Sequence, residues 1–502
     1  MKKDEEVITG QYSLSELKTV HALYTANITD WLFYKSSYNG DDAYLSEVLF
    51  QHPREEDNAY TQRLKESYTF SYASSIIHLL NFYLTDTPPL RSPGGLAERE
   101  DWKAFIINVD MYGSDFDVFI NDAQKSSAIF GSIGVLIDKP GGLFNVDDNS
   151  VFPYLASYTL NNILDWQFER NLETNTYELS YIKLRDNNKD YLIWTKTKWQ
   201  RYVMNDDESK VLGFEEGENP LNMVPFVWMP NIRDLDNPYL GVSDLKNVCK
   251  IVGEVVRVMS ECSKTIQYSA FPMLMMPSEI DGYETDHADS DNEIVVGKEA
   301  VLNFNPEYGV GGKPAWLETN VEQNVKGVKQ YVDYVTEEMF RGCLLSSVMQ
   351  ERDKAQSKTG AMLRIEQKQL SSLLSKKSNN MINCELEIMK IWCMWQDCEE
   401  LIDTYEVSKT RSFSIDDLST ELDYTFNAVD KVPSDTFAKE VFKKVSNVLL
   451  PNIPVGTLHK LETEIELYDS DALRKRDIAE ANIGKTVAKE KPEGVPASTT
   501  VK

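Results

Sequence analysis

Ser243-Asp244-Leu245-Lys246-Asn247-Val248-Cys249-Lys250-Ile251-Val252-Gly253-Glu254-Val255-Val256-Arg257-Val258-Met259 is the segment whose reading decides the fold. Leu245, Val248, Val252, Val255, Met259, Cys262 and Ile266 recur at alternating steps of three and four. Ser243 is the expected N-cap. The spacing predicts one helix of about 25 residues, about 38 Å long, with a single apolar stripe. Val321, Val325, Val328, Val332, Val335 and Met339 repeat the pattern and predict a second such helix. Residues 268–319 lie between them, rich in Pro, Gly and Asp, with β-like runs at Glu293–Val296 and Ala300–Phe304. A helix pair enclosing a small β module is an unusual arrangement.

Upstream the period changes. In residues 151–230, Leu164, Trp166 and Phe168 alternate with polar residues, as do Tyr177, Leu179 and Tyr181, and then Tyr191 and Ile193. Polar turns at Asn171–Asn175 and Asn187–Asp190 separate the runs, so an antiparallel meander is expected. Before it, a helix capped by Ser114 should carry Phe116, Phe119, Ala123 and Ile129 and end at Gly131. A buried strand, Val135–Ile137, should follow. A long helical run from Asn58 to Tyr83 stops at Asp86-Thr87-Pro88-Pro89, because proline lacks the donor and restricts its predecessor. Residues 1–55 read as an arm with one or two short helices.

Downstream, a polar stretch (Ser346–Thr359) leads into a very long helix, from about Lys358 to Tyr405. A strand (Leu422–Phe426) and two shorter helices (Ser434–Leu449, Gly456–Leu467) follow. The tail from Lys485 is low in hydrophobicity and is expected to be disordered.

The chain has 502 residues, which suggests two to four domains. Its 52 Lys+Arg against 80 Asp+Glu give a net charge of −28. A hydrophobic content of 42% excludes a wholly disordered chain. No apolar stretch of about 18 residues occurs, so no membrane-spanning helix is expected. The N-terminal MKKDEEVITGQYS has no apolar core, so no secretory signal is expected. So acidic a chain is not a free, non-specific DNA coater.

Motifs for chemistry are missing. The six cysteines form no C-x-x-C pair, and the five histidines form no H-E-x-x-H. Gly131-Ser132-Ile133-Gly134 ends a helix and opens a strand, the reverse of a phosphate loop. Gly484-Lys485-Thr486 resembles the end of a Walker A motif, but Ala479 stands where its first glycine belongs. No Ser/His/Asp or Cys/His grouping stands above the acidic background. The chain is therefore expected not to be an enzyme. No catalytic residue, cofactor or metal site is assigned.

Two charge clusters stand out. Glu279, Asp281, Glu284, Asp286, Asp289, Asp291 and Glu293 form an acidic run without Lys or Arg. It lacks the spacing of a calcium loop and reads as a solvated loop or a partner surface. The sign reverses between Ser357 and Asn380, where Lys358, Arg364, Lys368, Lys376 and Lys377 face only Glu366. This is either a solvated helix face or, with Arg352 and Lys354, a surface that meets phosphates without reading sequence.

The order of elements resembles the portal proteins of tailed bacteriophages. His52-Pro53-Arg54-Glu55 followed by Tyr60-Thr61-Gln62-Arg63-Leu64 is similar to one branch of that family. So are Tyr112-Gly113-Ser114-Asp115-Phe116, Gly134-Val135-Leu136-Ile137-Asp138-Lys139-Pro140, and Pro153–Tyr158 followed by Ile163-Leu164-Asp165-Trp166. Leu240-Gly241-Val242-Ser243-Asp244-Leu245 looks like the start of a portal stem, and Ser357-Lys358-Thr359-Gly360-Ala361 lies where portals leave the tunnel loop. The likeness spans roughly residues 50–430.

That resemblance implies a helix-rich α+β fold, with an N-terminal arm (1–57) and a wing containing antiparallel strands (58–239). Two stem helices (240–267 and 320–342) would enclose a clip (268–319). A tunnel loop (343–357), a long wing helix with a return strand (358–431), a short helical crown (432–484) and a tail (485–502) would complete it. It implies a non-enzymatic ring, usually of twelve copies, at one capsid vertex. Double-stranded DNA would pass through the ring. The major capsid protein, the terminase large subunit (the packaging ATPase), a head–tail adaptor and tail proteins would be its partners. The location implied is the virion, after synthesis in a bacterial cytoplasm, without a membrane. Arg352, Lys354 and Lys358 are the candidates to lie near DNA. Trp316 and the acidic run are the candidate clip partner surface. Val248, Val252, Val255, Met259, Val325, Val328, Val332 and Val335 are the candidate stem interface, so that Val252→Asp would weaken association more than folding. A coiled-coil scaffold or adaptor without a channel is the alternative.

Overall fold

The computed structural model of the protein describes residues 12–86, 89–139, 151–172, 175–187, 189–269, 273–277, 301–304, 315–317, 321–345, 360–408, 434–449, 460–461 and 463–465. The chain divides into two compact units, Met1–Phe413 and Ser414–Lys502.

Alternation of apolar and polar residues builds the expected meander. Strands Ile163–Asn171 (β4), Thr176–Asp186 (β5), Asp190–Thr195 (β6), Lys198–Met204 (β7) and Val211–Glu218 (β8) pair in sequence order as a five-stranded antiparallel sheet. One face buries Trp166, Ile182, Leu184 and Trp194 in the main core. The other buries Leu164, Tyr191, Ile193 and Tyr202 around Leu17. Leu17 belongs to the first helix, Leu14–Lys18 (α1), whose Ser13–Glu16 capping box fixes its start. The buried Lys183 amine donates to the Glu16 and Thr19 carbonyls at 3.1 and 2.5 Å, which ties α1 to the sheet. Burial lowers the pKa of that amine.

A second sheet has its central strand buried on both faces. Ser132–Asp138 (β2) lies between Tyr154–Thr159 (β3) and Phe226–Pro230 (β9), both antiparallel to it. The helix Phe116–Phe130 (α7) leads into β2 through Gly131, whose φ of 100° provides the C-cap. Its N-cap is Asp115, one residue beyond the expected Ser114. The Asp115 carboxylate accepts from the Val118 amide at 2.8 Å, while the Ser114 amide bonds to Asp110 at 3.1 Å.

Residues 12–49 pack into the core instead of forming an arm with one or two short helices. Ala22–Asn39 (α2) and Asp42–Val48 (α3) follow α1, and Trp31, Tyr34, Tyr44 and Leu45 are buried in the main core. The run from Asn58 also breaks, into Asp57–Glu66 (α4) and Tyr72–Thr85 (α5). At the break the Ser67 hydroxyl takes the Arg63 carbonyl at 2.7 Å, a local bond that competes with the helix. A short strand, Leu90–Ser92 (β1), and the helix Glu100–Ile107 (α6) lie between α5 and α7.

Two long helices leave the sheet region, Val248–Ser269 (α8) and Val321–Gly342 (α9). The first starts at Val248, four residues beyond the expected first position Asp244; residues 244–247 form turns, with the Ser243 hydroxyl accepting from the Leu245 amide at 3.0 Å. Between the two, Met273–Pro277 (β10) pairs parallel with Val301–Phe304 (β11) and antiparallel with Ala315–Leu317 (β12). The run Glu293–Val296 lies outside the described residues.

Gly360–Trp395 (α10) is a helix of 36 residues that buries Leu370, Leu374, Met381, Ile388, Trp392 and Trp395. It stops short of the expected Tyr405. Asp397 adopts a left-handed φ of 49°, and the Cys398 amide bonds back to the Cys393 carbonyl at 3.0 Å. A 3-10 turn, Glu399–Thr404, then leads to Glu406–Ser408 (β13), which pairs with β1. In the second unit, Asp435–Leu449 (α11) begins after Ser434, whose hydroxyl accepts from the Phe437 amide at 3.3 Å. The expected strand Leu422–Phe426, most of the helix Gly456–Leu467 and the tail lie outside the described residues. Among those described, no helix is long and apolar enough to cross a membrane.

Candidate functional site

The foot of the α8–α9 pair gathers a cluster of buried polar contacts. Two glycines make it possible. Gly241 has a φ of 61°, and a Cβ there would stand 2.1 Å from the Gly131 carbonyl oxygen. Their close approach brings the end of α7 against the loop that opens α8. The Ser243 hydroxyl donates to the Ile129 carbonyl at 2.5 Å and accepts from the Leu245 amide at 3.0 Å. Asn231, wholly buried, has its amide on the Gly131 carbonyl at 2.9 Å and its side-chain NH2 on the Val242 carbonyl at 3.0 Å. Gln124 donates to the Asn231 side-chain oxygen at 3.1 Å, and Asn380 of α10 donates to the Pro230 and Asn231 carbonyls.

Asp244 and Lys377 close the knot as a buried ion pair. Cys343, just past α9, lies beside them. Burial pushes its thiol up to about 12, the Asp244 charge adds to that, and Lys377 opposes it. The segment that opens α8 is thus fastened to α10 through Lys377 and to the end of α7 through Ser243.

A second anchor holds the far half of α10. The Arg91 guanidinium grips Glu385 with both forks, at 2.6 and 3.1 Å, and reaches Asp117 at 2.6 Å. The Tyr405 hydroxyl donates to Glu385 at 2.5 Å. Burial opposes the charge on Arg91, but Glu385 and then Asp117 outweigh it and raise its pKa. Burial, reinforced by the Glu385 charge, raises the Tyr405 hydroxyl as well. Further along, the Lys139 amine meets the Gln396 side-chain oxygen at 3.2 Å, and the Trp395 indole donates to the Ile137 carbonyl at 3.0 Å.

The sequence candidates fall differently. Arg352, Lys354 and Lys358 lie outside the described residues, as do Glu279, Asp281, Glu284, Asp286, Asp289, Asp291 and Glu293. Trp316 sits in β12, opposite Leu274 of β10. Val248, Val252 and Val255 are 3%, 1% and 1% exposed inside the single chain, so their side chains have no surface to offer another copy. The expectation that Val252→Asp weakens association more than folding is corrected accordingly: at 1% exposure the side chain belongs to the core of the single chain. Met259, Val325, Val328, Val332 and Val335 are only half-buried, and Tyr331 and Tyr334 beside them are exposed. Lys368 and Lys376 are exposed, as a solvated face requires, but Lys377 is not. Its spacing from Leu370, Leu374 and Met381 places it in the apolar row of α10, a signal present in the sequence and overlooked.

These groups position elements. Most polar atoms of the knot are bonded to one another, while the buried Gln124 side-chain oxygen has no hydrogen-bond partner among the described residues, and a groove of about 510 Å³ is lined by ring pairs such as His21 on Trp166 and Phe168 on Tyr239. Among the described residues no group of three or more His, Cys, Asp or Glu could hold a metal ion.

No protein-family model matches the chain, and no curated protein matches it. Among solved structures, the chain aligns with one from the virion of a native gene transfer agent particle at TM-score 0.44 and 10% identity, over 85% of this chain and 94% of that one. A chain from the neck of an empty gene transfer agent particle, computed with C6 symmetry, aligns at TM-score 0.41 and 9% identity, over 76% and 90%. One from the neck of the native particle, computed with C12 symmetry, aligns at TM-score 0.36 and 10% identity, over 76% and 89%. Likenesses this distant carry no argument about function.

Proposed function

We propose that the chain is a structural subunit of a head–tail connector, a portal-type protein. Copies of it would form a closed ring, of twelve by the family pattern, at one vertex of a virus-like capsid. The observation that carries this reading is the order of elements: a sheet region, α8, a small three-stranded sheet, α9, then α10 returning along the sheet region. In that reading α8 and α9 are the stem and β10–β12 the clip. Residues 343–357 are the tunnel loop, where Arg352 and Lys354 would lie near DNA.

The role follows from physics as much as pattern. A sleeve through which double-stranded DNA slides must not neutralise many phosphates at once, since each such contact strengthens binding. A chain of net charge −28 suits that requirement. The firm polar knot at the foot of the stem suits a part that bears load between capsid, packaging motor and tail adaptor. No enzymatic activity is assigned, and location in the virion belongs to the same proposal.

Negative-stain imaging and mass measurement of the purified chain test it. Twelve copies of 57.4 kDa amount to about 690 kDa. Rings with a hole wide enough for a ~20 Å duplex support the reading. Discrete dimers or trimers without a hole at high protein concentration favour a coiled-coil scaffold and overturn it.

A further inference from the structure

Two of the six cysteines are held sulfur to sulfur where α10 ends. The Cys398 amide donates to the Cys393 carbonyl at 3.0 Å, and the Asp397 amide to the Met394 carbonyl at 3.4 Å. Asp397 is left-handed, with a φ of 49°. These features make a Schellman turn, in which the side chains of the first and sixth residues meet. Here both are cysteines. Both are buried, and the Cys393 thiol is hydrogen-bonded to the Cys398 sulfur.

The backbone alone keeps the pair within bridging distance. With 3.0 Å between amide nitrogen and carbonyl oxygen, standard bond lengths place the two Cα atoms at most about 6.9 Å apart. That is inside the ~7 Å beyond which two cysteines cannot be joined without backbone movement. The surroundings single out Cys398 as the sulfur that reacts first. The hydrogen bond from Cys393 holds its thiol below the usual range against the effect of burial. The Arg99 guanidinium adds to that, while the Asp101 and Asp397 carboxylates oppose it. Arg99 is itself fixed by Asp101, at 2.7 and 3.0 Å. Elsewhere burial wins: it pushes Cys249 and Cys343 up to about 12, and Cys384 well above the ordinary thiol value.

We propose that Cys393 and Cys398 are a site of oxidation by hydroperoxides, at which the dithiol closes to a disulfide. The Cys398 thiolate, its proton given to water, attacks one oxygen of hydrogen peroxide. The S–O bond forms, the O–O bond breaks and hydroxide departs, leaving a sulfenic acid. The Cys393 sulfur then attacks that of Cys398. The S–S bond forms, the S–O bond breaks, and the departing hydroxyl takes the Cys393 proton as water. Two thiols lose two electrons, and one peroxide becomes two waters. A reagent of that size suits a buried site in the last turn of a helix, where opening is easiest. The bridge would staple α10 to the turn that leads into β13, and so to the pairing with β1. No ring is needed for this chemistry.

The test treats the reduced full-length chain with a small excess of hydrogen peroxide, removes the peroxide, and alkylates the remaining thiols in urea. Cutting after Lys390 and Lys409 releases a peptide that holds both cysteines and no other. It should come out unalkylated and about 2 Da lighter than its dithiol form. Cys249, Cys262, Cys343 and Cys384 should still alkylate, and dithiothreitol should restore all six thiols. Cys393→Ser should arrest the chemistry at Cys398, read as a dimedone adduct there, whereas Cys384→Ser should leave the bridge unchanged. A treated wild-type chain with both thiols of 391–409 still alkylated overturns the proposal, and this readout needs no variant to fold. So does a loss spread evenly over the six cysteines, as in an unfolded chain, or a bridge between two chains. The oxidised chain should melt no lower than the reduced one. A fall would mean that the turn breaks to form the bridge, and overturns the fit.

Discussion

Lys377 of α10 and Asp244 at the foot of α8 form an ion pair with side chains only 1% and 6% exposed. Taking two charges out of water is costly, and mutual attraction offsets that cost only while both partners remain. The pair therefore makes the union of the two helices conditional: a helix shifted by one residue would strand a charge in the core. That is a device for fixing position more than for adding stability.

Lys377→Met should consequently destabilise the folded chain by about 3–5 kcal/mol, because Asp244 would stay buried without its partner. The double variant Lys377→Met/Asp244→Asn should recover a large part of that loss. Urea unfolding of the four members of the cycle measures it. A single-variant loss under about 1 kcal/mol would mean that water reaches the pair.

Gly241 is the second element of the same foot. Alanine there would combine a left-handed backbone with a Cβ driven into the Gly131 carbonyl. Gly241→Ala should cost about 2–3 kcal/mol, more than ordinary surface changes do. Gly327, whose Cβ position is open, serves as the control. Thermal melts of the two variants should separate clearly, with only the first moving downward by several degrees.

The apolar stripe of α8 and that of α9 read alike in sequence but differ in burial. Val252 is packed inside the chain, whereas Val328 is half-buried. Val252→Asp should cost at least about 3 kcal/mol of folding stability, since it buries an unpaired carboxylate. Val328→Asp should leave folding within about 1 kcal/mol of wild type. Equal losses in both would show that the helix pair is packed the same way along both stripes.

Periodicity revealed the parts of the fold that depend on one element at a time. The meander of 163–218, the two heptad helices and the glycine that ends α7 were all legible. Breaks inside apolar runs were not. The stop after Trp395 depends on Asp397 turning left-handed, and the break at Ser67 on a hydroxyl that bonds to Arg63 and to Ser260 of α8 at 3.0 Å. Both are decided by distant packing. Lys377 was misread because a lysine in a basic run looks solvated, although its spacing matched the buried row. The burial of Val252 depends on α2, α3 and α5, helices that the N-terminal sequence, weak in period, did not disclose.

Asp138, at the end of β2, provides a pH test of the sheet region. Burial pushes its carboxyl up to about 6, against the Tyr154 hydroxyl, which donates to it at 3.1 Å and favours the charged form. A carboxyl raised above its ordinary 3.8 holds its proton more tightly when folded. Its ionisation therefore costs nothing below that value, and the penalty grows as the pH rises through about 6. An asparagine side chain at this position would keep an acceptor for Tyr154 and could not ionise. Asp138→Asn should exceed wild type in stability by about 1–3 kcal/mol near pH 7.5 and equal it near pH 4. Chemical denaturation at the two pH values decides the point. A gap of the same size at both would trace the effect to packing, since titration alone makes the difference vanish in acid.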